Sequence, residues 1–406
     1  MIKRNFVMQK LISIFKSFGF DQIETPVIEY ASTILGKYGE EGDKLTYAFT
    51  DHGNRQIALP YDLTVPFARY FAKNWQELPI PFKRFQVNRV WRADKPQKGR
   101  LREFYQCDVD IIGTDSILAD AEIAAVMYKV INALGFKKFI IRANNRKVIN
   151  AILDKCGYTE DQFIPVIRVV DKLDKIGKAE VKKEILEVDS DEKKVDKLIE
   201  YIDMKGSNEE KVNKLGLKEA EEVREFLEYC KDYNIPEENL MFDLKIARGL
   251  DYYTGMVFEL TVEEPKVGSL CGGGRYANLC GFFCDKEFSG TGVSFGFERI
   301  MVVMDELGML SGQTTNTDVL VTVFDRKTLG KSIEVFNKLQ DGGINAELYI
   351  EEDKLGKQFK FANKKGIDYV VVIGPEEIEK DVVVLKDMKS GDQKEMKVEA
   401  VVEELG

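Results

Sequence analysis

Five residues at two-residue spacing, Arg102, Phe104, Gln106, Asp108 and Asp110, lie in the strand-like segment LREFYQCDVDIIG. Side chains of a strand alternate faces, so these five share one side of a sheet. The preceding segment, FKRFQVNRVWR, alternates in the same way and puts Arg92 on a face with Val90, Asn88 and Gln86. The loop ADKPQKGR joins the two into a hairpin with a long, basic tip. A guanidinium fork binds phosphate bidentately, and an aromatic ring offers a base a stacking surface. An amide and a carboxylate further along can fix a polar small molecule. The solvated face of an antiparallel sheet is also polar, but this mixture of residue types favours a site.

Three glycine-rich clusters carry weaker signals. ARGLDYYTGMVFE, residues 247–259, sets Arg248 before a glycine and follows it with Tyr252 and Tyr253. A turn entering a strand, with the Tyr rings in the core, is the plainer reading. CGGGRY, residues 271–276, strips three consecutive positions of side chains and lets a ligand approach the backbone. GTGVSFGFERI, residues 290–300, brings Arg299 to a helix start.

Other chemistries are set aside. The one histidine, His52, sits in the turn-like DHGN and reads as an exposed loop residue. Ser-His-Asp triads, Cys-His pairs and His-rich metal sites would all depend on it. The six cysteines form no CxxC pair, and Cys271, Cys280 and Cys284 fit no common zinc spacing, so no metal site is expected. LGKS at 329–332 imitates the end of a phosphate-binding loop, but Asp325 stands where that motif requires glycine.

The elements that must position these residues can be read from periodicity. Residues 1–19 pattern as an amphipathic helix, ETPVIEY as an extended segment, and LTYAFTD and RQIALPYDL as short strands around the DHGN turn. TVPFARYFAKN reads as a helix with Pro66 in its first turn, and SILADAEIAAVMYKVINALGF as a helix ending at Gly135. Residues 1–145 and 239–310 therefore read as two parts of one core, interrupted at 146–238 by Lys/Glu-rich helices. SGQTTNT, 311–317, reads as a linker. Residues 318–406, where β-branched strands alternate with helices, read as a small α/β domain.

The chain of 406 residues has a formal net charge of −10, which argues against a nucleic-acid-coating protein or a membrane-surface binder. The last domain, with 14 Lys and Arg against 19 Asp and Glu, is no basic clamp. A local basic patch remains compatible with both numbers. The N-terminal stretch lacks a signal-peptide pattern and no apolar run approaches a membrane span. With few, scattered cysteines, a reducing cytoplasm is expected.

Taken together these stretches resemble a known family. FKRFQVNRVWRADKPQKGRLREFYQ resembles motif 2 of class II aminoacyl-tRNA synthetases, GVSFGFERI their motif 3, and ETPVIEY their motif 1. ARGLDYYTGMVFE resembles the signature peptide of histidyl-tRNA synthetases, and LPYDLTVPFARY and GGGRY are similar to segments of the same family. The resemblance implies an α+β fold: a class II antiparallel sheet flanked by helices, a helical insertion and a C-terminal α/β anticodon-binding domain. It implies a homodimer through motif 1 and a histidine-tRNA ligase that uses ATP and Mg²⁺ to form histidyl-adenylate and then charges tRNA(His).

Carried over by position, Arg92 and Arg248 belong beside the α-phosphate, Arg299 at the γ-phosphate, Phe104 under adenine and Asp94 in the ATP site. Asp62, Thr64 and Gln106 belong at the α-amino group of histidine, and Asp110, Tyr252 and Tyr253 at its imidazole. Lys98 and Arg100 belong at the tRNA acceptor end. Three differences from the family stand out: Pro60 in place of Arg, Asp94 and Asp110 in place of Glu, and an abrupt beginning at Met1 that reads as a shortened start. A non-catalytic relative, acting as a regulatory subunit of histidine biosynthesis or as a tRNA sensor, is the competing reading; such relatives generally lack the anticodon domain and the intact signature peptide.

Overall fold

The structure is a computed structural model that describes residues 1–96, 101–246, 253–310 and 315–406. Two compact units emerge: Val7–Met309, and Met1–Phe6 with Leu310–Gly406.

The larger unit is built on a sheet whose first strand is β1 (Asp21–Gln22). A separate three-stranded sheet follows, from β2 (Glu29–Tyr30), β3 (Ala48–Thr50) and β4 (Gln56–Ala58). The large sheet continues with β5 (Phe82–Trp91), β6 (Glu103–Ile112), β7 (Phe139–Asn145), β8 (Leu240–Phe242), β9 (Tyr253–Val262), β10 (Cys271–Tyr276) and β11 (Gly290–Gly296). Its spatial order is β1-β5-β6-β11-β10-β9-β7-β8. The central pairs are antiparallel, as expected, whereas the two edges, β1 on β5 and β8 on β7, run parallel.

The long hairpin forms over the segments whose alternation predicted it. Its register sets Arg84 opposite Asp110, Gln86 opposite Asp108, Asn88 opposite Gln106 and Val90 opposite Phe104. On the other face Phe85, Cys107, Val109 and Phe295 are fully buried. The helix Ile2–Ser17 lays Phe15 on that face, with ring centroids 5.6 Å from Phe85 and 5.7 Å from Phe295. One face of the sheet is thus conventional core, and the polar face is free to be a site.

Two devices hold the frame. The helix Ile117–Ala133, capped by the Ser116 hydroxyl, is stapled to β10 by Arg275. That guanidinium pairs with Asp120 at 2.5 Å and donates to the carbonyls of Thr114 and Ser116, both at 2.8 Å. The second device is glycine. A Cβ on Gly273 would come within 2.0 Å of the Gly292 carbonyl, so β10 and β11 lie closer than any side chain permits. Helices from Arg146–Cys156 to Glu221–Asp232 occupy the chain between β7 and β8.

The smaller unit carries the sheet β12 (Val319–Val321), β13 (Ala346–Leu348), β14 (Tyr369–Val372), β15 (Val383–Asp387) and β16 (Gln393–Met396), ordered β13-β12-β14-β15-β16. The three first strands are parallel, joined through helices, and the last two add an antiparallel hairpin. Val321, Leu339, Val371 and Val401 form one core layer, and Leu320, Ala362 and Val370 another.

The glycine contact makes a prediction. Gly273→Ala should lower the unfolding free energy by about 3 kcal/mol, the upper range for overpacking, because the obstacle is backbone. Urea denaturation with unchanged slope checks this; a midpoint equal to that of the parent chain would refute the close approach.

Candidate active site

Two cavities open on the polar face of the large sheet. The smaller, about 130 Å³, is lined by Tyr61, Asp62, Thr64, Arg92, Gln106, Asp108, Asp110, Tyr253, Gly272 to Gly274, Tyr276, Gly292, Val293 and Ser294. The larger, about 320 Å³, is lined by Leu45, Tyr61, Arg92, Asp94, Leu101, Phe104, Gln106, Ser269 to Gly272, Ser294, Gly296, Glu298 and Arg299. Tyr61, Arg92, Gln106, Gly272 and Ser294 belong to both, so the cavities share a wall.

The floor is glycine. The register of β6, β11 and β10 sets Asp110 beside Gly292 and Gly292 beside Gly274, with Ser294 beside Gly272. A Cβ on Gly292 would lie 2.1 Å from the Asp110 Oδ1 and one on Gly274 would lie 3.0 Å from the Tyr253 ring. Any other residue here would fill the space that the neighbouring side chains use.

The walls are charged, and burial sets their chemistry. Arg84, with no exposed surface, lies 2.6 Å from the Asp110 Oδ2 and over the Phe67 ring, 4.3 Å from its centroid. Tyr276 donates its hydroxyl to the Asp110 Oδ1 at 2.9 Å. Burial pushes the Asp110 carboxyl up, against the pull of Arg84 and of the Tyr276 hydrogen bond. Burial likewise raises Asp108, to about 7; Arg84 opposes it, Asp110 adds to it and a hydrogen bond with Ser294 lowers it.

Asp62 sits just before the helix Thr64–Asn74, and its Oδ1 accepts from the Thr64 and Val65 amides, both at 3.1 Å, and from the Tyr38 hydroxyl at 2.8 Å. Burial raises this carboxyl too, and these three hydrogen bonds and the Arg92 charge lower it.

Arg92 continues β5 into the hairpin loop. Its amide donates to the Arg102 carbonyl, while the Trp91 amide donates to the Pro60 carbonyl, both at 2.9 Å. That link brings the 60–62 segment against the strand end, where Arg92 Nε donates to the Tyr61 carbonyl at 2.9 Å. The guanidinium then lies over the Tyr61 ring at 4.2 Å and the Phe104 ring at 5.2 Å. Pro60, which has no amide hydrogen to offer, acts here through its carbonyl. Gln106 donates to the Ser294 hydroxyl at 2.6 Å, and Arg299 to the Ser269 carbonyl at 2.8 Å.

Of the residues singled out from sequence, Asp62, Thr64, Arg92, Asp94, Phe104, Gln106, Asp110, Tyr253 and Arg299 line one or both cavities. Lys98, Arg100, Arg248 and Tyr252 lie outside the described residues. Arg102 is a correction: it does not line either cavity but lies exposed beyond the strand end, its Nε on the Asp94 carbonyl at 3.2 Å. Among the described residues no cluster of three or more His, Cys, Asp or Glu could hold a metal ion.

Sequence reasoning missed Arg84, Tyr38 and Tyr276, and gave Asp108 no role. For Arg84 the signal existed: the alternation that joins Arg92 to Gln86 reaches Arg84 one step further on.

Comparison with known proteins gives the same picture. The model of the histidyl-tRNA synthetase family matches residues 2–300, and that of the anticodon binding domain matches residues 318–406. A histidine--tRNA ligase of Clostridium tetani is 39% identical over 403 residues, covering 96% of this chain and 91% of its own. One from Wolinella succinogenes is 40% identical, covering 98% and 93%. The crystal structure of histidyl-tRNA synthetase from Nostoc sp. PCC 7120 superimposes with a TM-score of 0.89 at 30% identity, over 99% of this chain and 94% of that one. A Bacillus halodurans structure described as an ATP phosphoribosyltransferase regulatory subunit/histidyl-tRNA synthetase shares the fold at a TM-score of 0.73 and 23% identity, over 91% of this chain and 93% of that one. Full-length similarity to ligases, matched by a class II fold with an anticodon-binding domain, shows that the chain belongs to the histidyl-tRNA synthetase family of aminoacyl-tRNA synthetases, ligases that charge tRNA with histidine.

Proposed function

We propose that the smaller cavity takes L-histidine and the larger takes ATP, and that Arg92, in their common wall, is where the two react. The observation that carries this reading is that shared wall, with a guanidinium already fixed in it by the Tyr61 carbonyl. A carboxylate oxygen of histidine attacks the α-phosphorus of ATP, the bond to pyrophosphate breaks, and histidyl-adenylate forms. A ribose hydroxyl at the 3′ end of tRNA(His) then attacks the activated carbonyl and AMP leaves.

Each residue has a part in this scheme. Asp62, whose Oδ1 is held by three hydrogen bonds, and Thr64 receive the α-ammonium group, with the unpartnered Gln106 Oε1 as a further acceptor. Asp110, Tyr252 and Tyr253 form the imidazole end. Phe104 stacks adenine, Arg299 holds the γ-phosphate, and Arg92 and Arg248 stabilise the charge that grows on the α-phosphate. Phosphoryl chemistry of this kind needs positioning and charge more than a base, so a histidine side chain is not required. Asp94 and Glu298 line the larger cavity and are hard oxygen donors of the type that suits Mg²⁺ arriving with a polyphosphate. When bound, that ion neutralises phosphate charge.

The domain scheme follows: catalytic core 1–145 and 239–310, helical insertion 146–238, linker 311–317 and anticodon-binding domain 318–406. Lys98 and Arg100 meet the acceptor end of the tRNA, where contacts to phosphate position the RNA. The motif 1 segment exposes Val27, Ile28 and Tyr30, and nearby Phe49 is 47% exposed. An apolar patch of this kind marks an interface, and we assign it to a homodimer. No described helix is long and apolar enough to cross a membrane; the few, scattered cysteines are the ground for assigning the enzyme to the cytoplasm.

ATP–pyrophosphate exchange by the purified chain should require histidine and no other amino acid. Histidine binding without exchange would favour the regulatory alternative. Arg92→Ala should reduce the exchange rate constant about 10²- to 10³-fold, as for loss of one transition-state donor, while thermal unfolding stays where it was; an unchanged rate would remove Arg92 from the reaction. Ile28→Glu with Tyr30→Glu should convert a dimer to a monomer by sedimentation equilibrium, and an unaltered mass would displace the interface from this segment.

A further inference from the structure

A carboxylate that is to receive an ammonium group must present one oxygen to it in a fixed plane. Asp62 lines the smaller cavity, and its Oδ1 is fully used: it accepts from the Thr64 and Val65 amides, both at 3.1 Å, and from the Tyr38 hydroxyl at 2.8 Å. Among the described residues nothing donates to its Oδ2, which leaves that oxygen for a ligand. The two amides belong to the turn that Asp62 itself begins, so they fix the acid only to the start of the helix Thr64–Asn74. The Tyr38 hydroxyl arrives from another element, 24 residues away in the chain.

Tyr38 lines neither cavity. It stands immediately before the short helix Gly39–Leu45, and three features aim it. Its ring lies against that of Tyr61, with centroids 4.7 Å apart, and the Tyr61 carbonyl is the group that holds Arg92. A Cβ on Gly42 would fall 2.3 Å from the Tyr38 Cβ, so only glycine leaves the ring where it is. The Gly36 amide donates to both oxygens of Asp43, at 3.0 and 2.9 Å, and closes the turn around it. The far end of this turn is tied to the hairpin: the Ala93 amide, next to Arg92, donates to the Leu45 carbonyl at 2.8 Å, and Leu45 lines the larger cavity. Burial, with Asp62 adding to it, pushes the Tyr38 hydroxyl well above its ordinary range, so it remains a donor.

We propose that Tyr38 is a positioning residue: its hydroxyl fixes the plane of the Asp62 carboxylate so that Oδ2 meets the α-ammonium group of histidine, while the turn that carries it, residues 36–46, braces Arg92 through Tyr61 and Ala93. Tyr38 touches no substrate and acts through Asp62. One turn outside the cavities thus serves both sides of their common wall. This inference rests on histidine being the occupant of the smaller cavity.

The test is calorimetric binding of L-histidine and of ATP, with pyrophosphate-exchange kinetics, on the full chain, Tyr38→Phe, Gly42→Ala and the double variant. Tyr38→Phe keeps the ring against Tyr61 and loses only the hydroxyl. It should bind histidine about 3- to 10-fold more weakly, the range for one hydrogen bond, with its affinity for ATP unchanged. In exchange, the KM for histidine should rise by the same factor and kcat should be retained, as for a contact made equally in the ground and transition states. Gly42→Ala crowds the Tyr38 side chain, so it should weaken histidine less in the Tyr38→Phe background than in the parent. A general packing defect would weaken ATP as well, through the wall that the cavities share, and counts against the proposal. So does a Tyr38→Phe variant that binds histidine as the parent does, or a Gly42→Ala effect equal in both backgrounds. Exchange activity separates the two readings. A parent chain that exchanges pyrophosphate while Tyr38→Phe keeps its histidine affinity overturns this inference alone. Tyr38-dependent histidine binding without exchange sustains the inference and overturns the ligase reading. No histidine binding by the parent overturns both.

Discussion

The site depends on one buried cation. Arg84 lies on β5, one strand in from the sheet edge, with no exposed surface, and it is the positive charge that acts on both Asp108 and Asp110. A buried ion pair seldom adds much net stability, because desolvation offsets most of the attraction. Its effect here is on arrangement. Without Arg84, two carboxylates on one strand face would share a dry pocket uncompensated, and one would give up its charge. With it, Asp110 is anchored from one side by the guanidinium and from the other by Tyr276, and the remaining acid character faces the cavity. The smaller cavity thus has more acceptors than donors, which suits a ligand rich in N–H groups. The larger cavity adds Arg299 to the shared Arg92 and has the carboxylates Asp94 and Glu298, a mixture that suits an anion carrying a cation.

The glycines of β10 and β11 are the complement to that charge. Asp110 and Tyr276 occupy volume that side chains at Gly292 and Gly290 of β11 would fill. Gly290 and Gly292 of β11 give up packing so that these polar groups can lie across the sheet, while Gly273 of β10 lets the two backbones approach. The cost is met on the opposite face, where Phe15, Phe85 and Phe295 pack densely, and on the inner strand β10, where Arg275 ties the helix Ile117–Ala133 down through Asp120.

Much of this was legible from residue types. The hairpin, the helix Thr64–Asn74, the helix Ile117–Ala133 and the glycine-rich strands all carry strong local periodicity, and the polar face of β6 shows directly in its alternation. Long-range register was not legible. Nothing local says that Arg84 will lie opposite Asp110, because that pairing is set by the length of the loop between two strands. Tyr38 reaches Asp62 across 24 residues through the small three-stranded sheet, a contact that no pattern announces. The hairpin of β15 and β16 was overlooked for another reason. The strand Gln393–Met396 is almost wholly polar and exposed, so it lacks the apolar alternation that marks a half-buried strand.

The wall that the two cavities hold in common has a thermodynamic implication. Whatever fills one side presses on Tyr61, Arg92, Gln106, Gly272 and Ser294, the same groups that the other side must use. A change that one occupant makes in these groups is felt by the other, so the two cavities are coupled without any distant conformational switch. Linkage makes the coupling symmetric: the factor by which the first ligand strengthens the second equals the factor by which the second strengthens the first. A single shared partition therefore gives the two cavities one coupling free energy, which reads the same from either side.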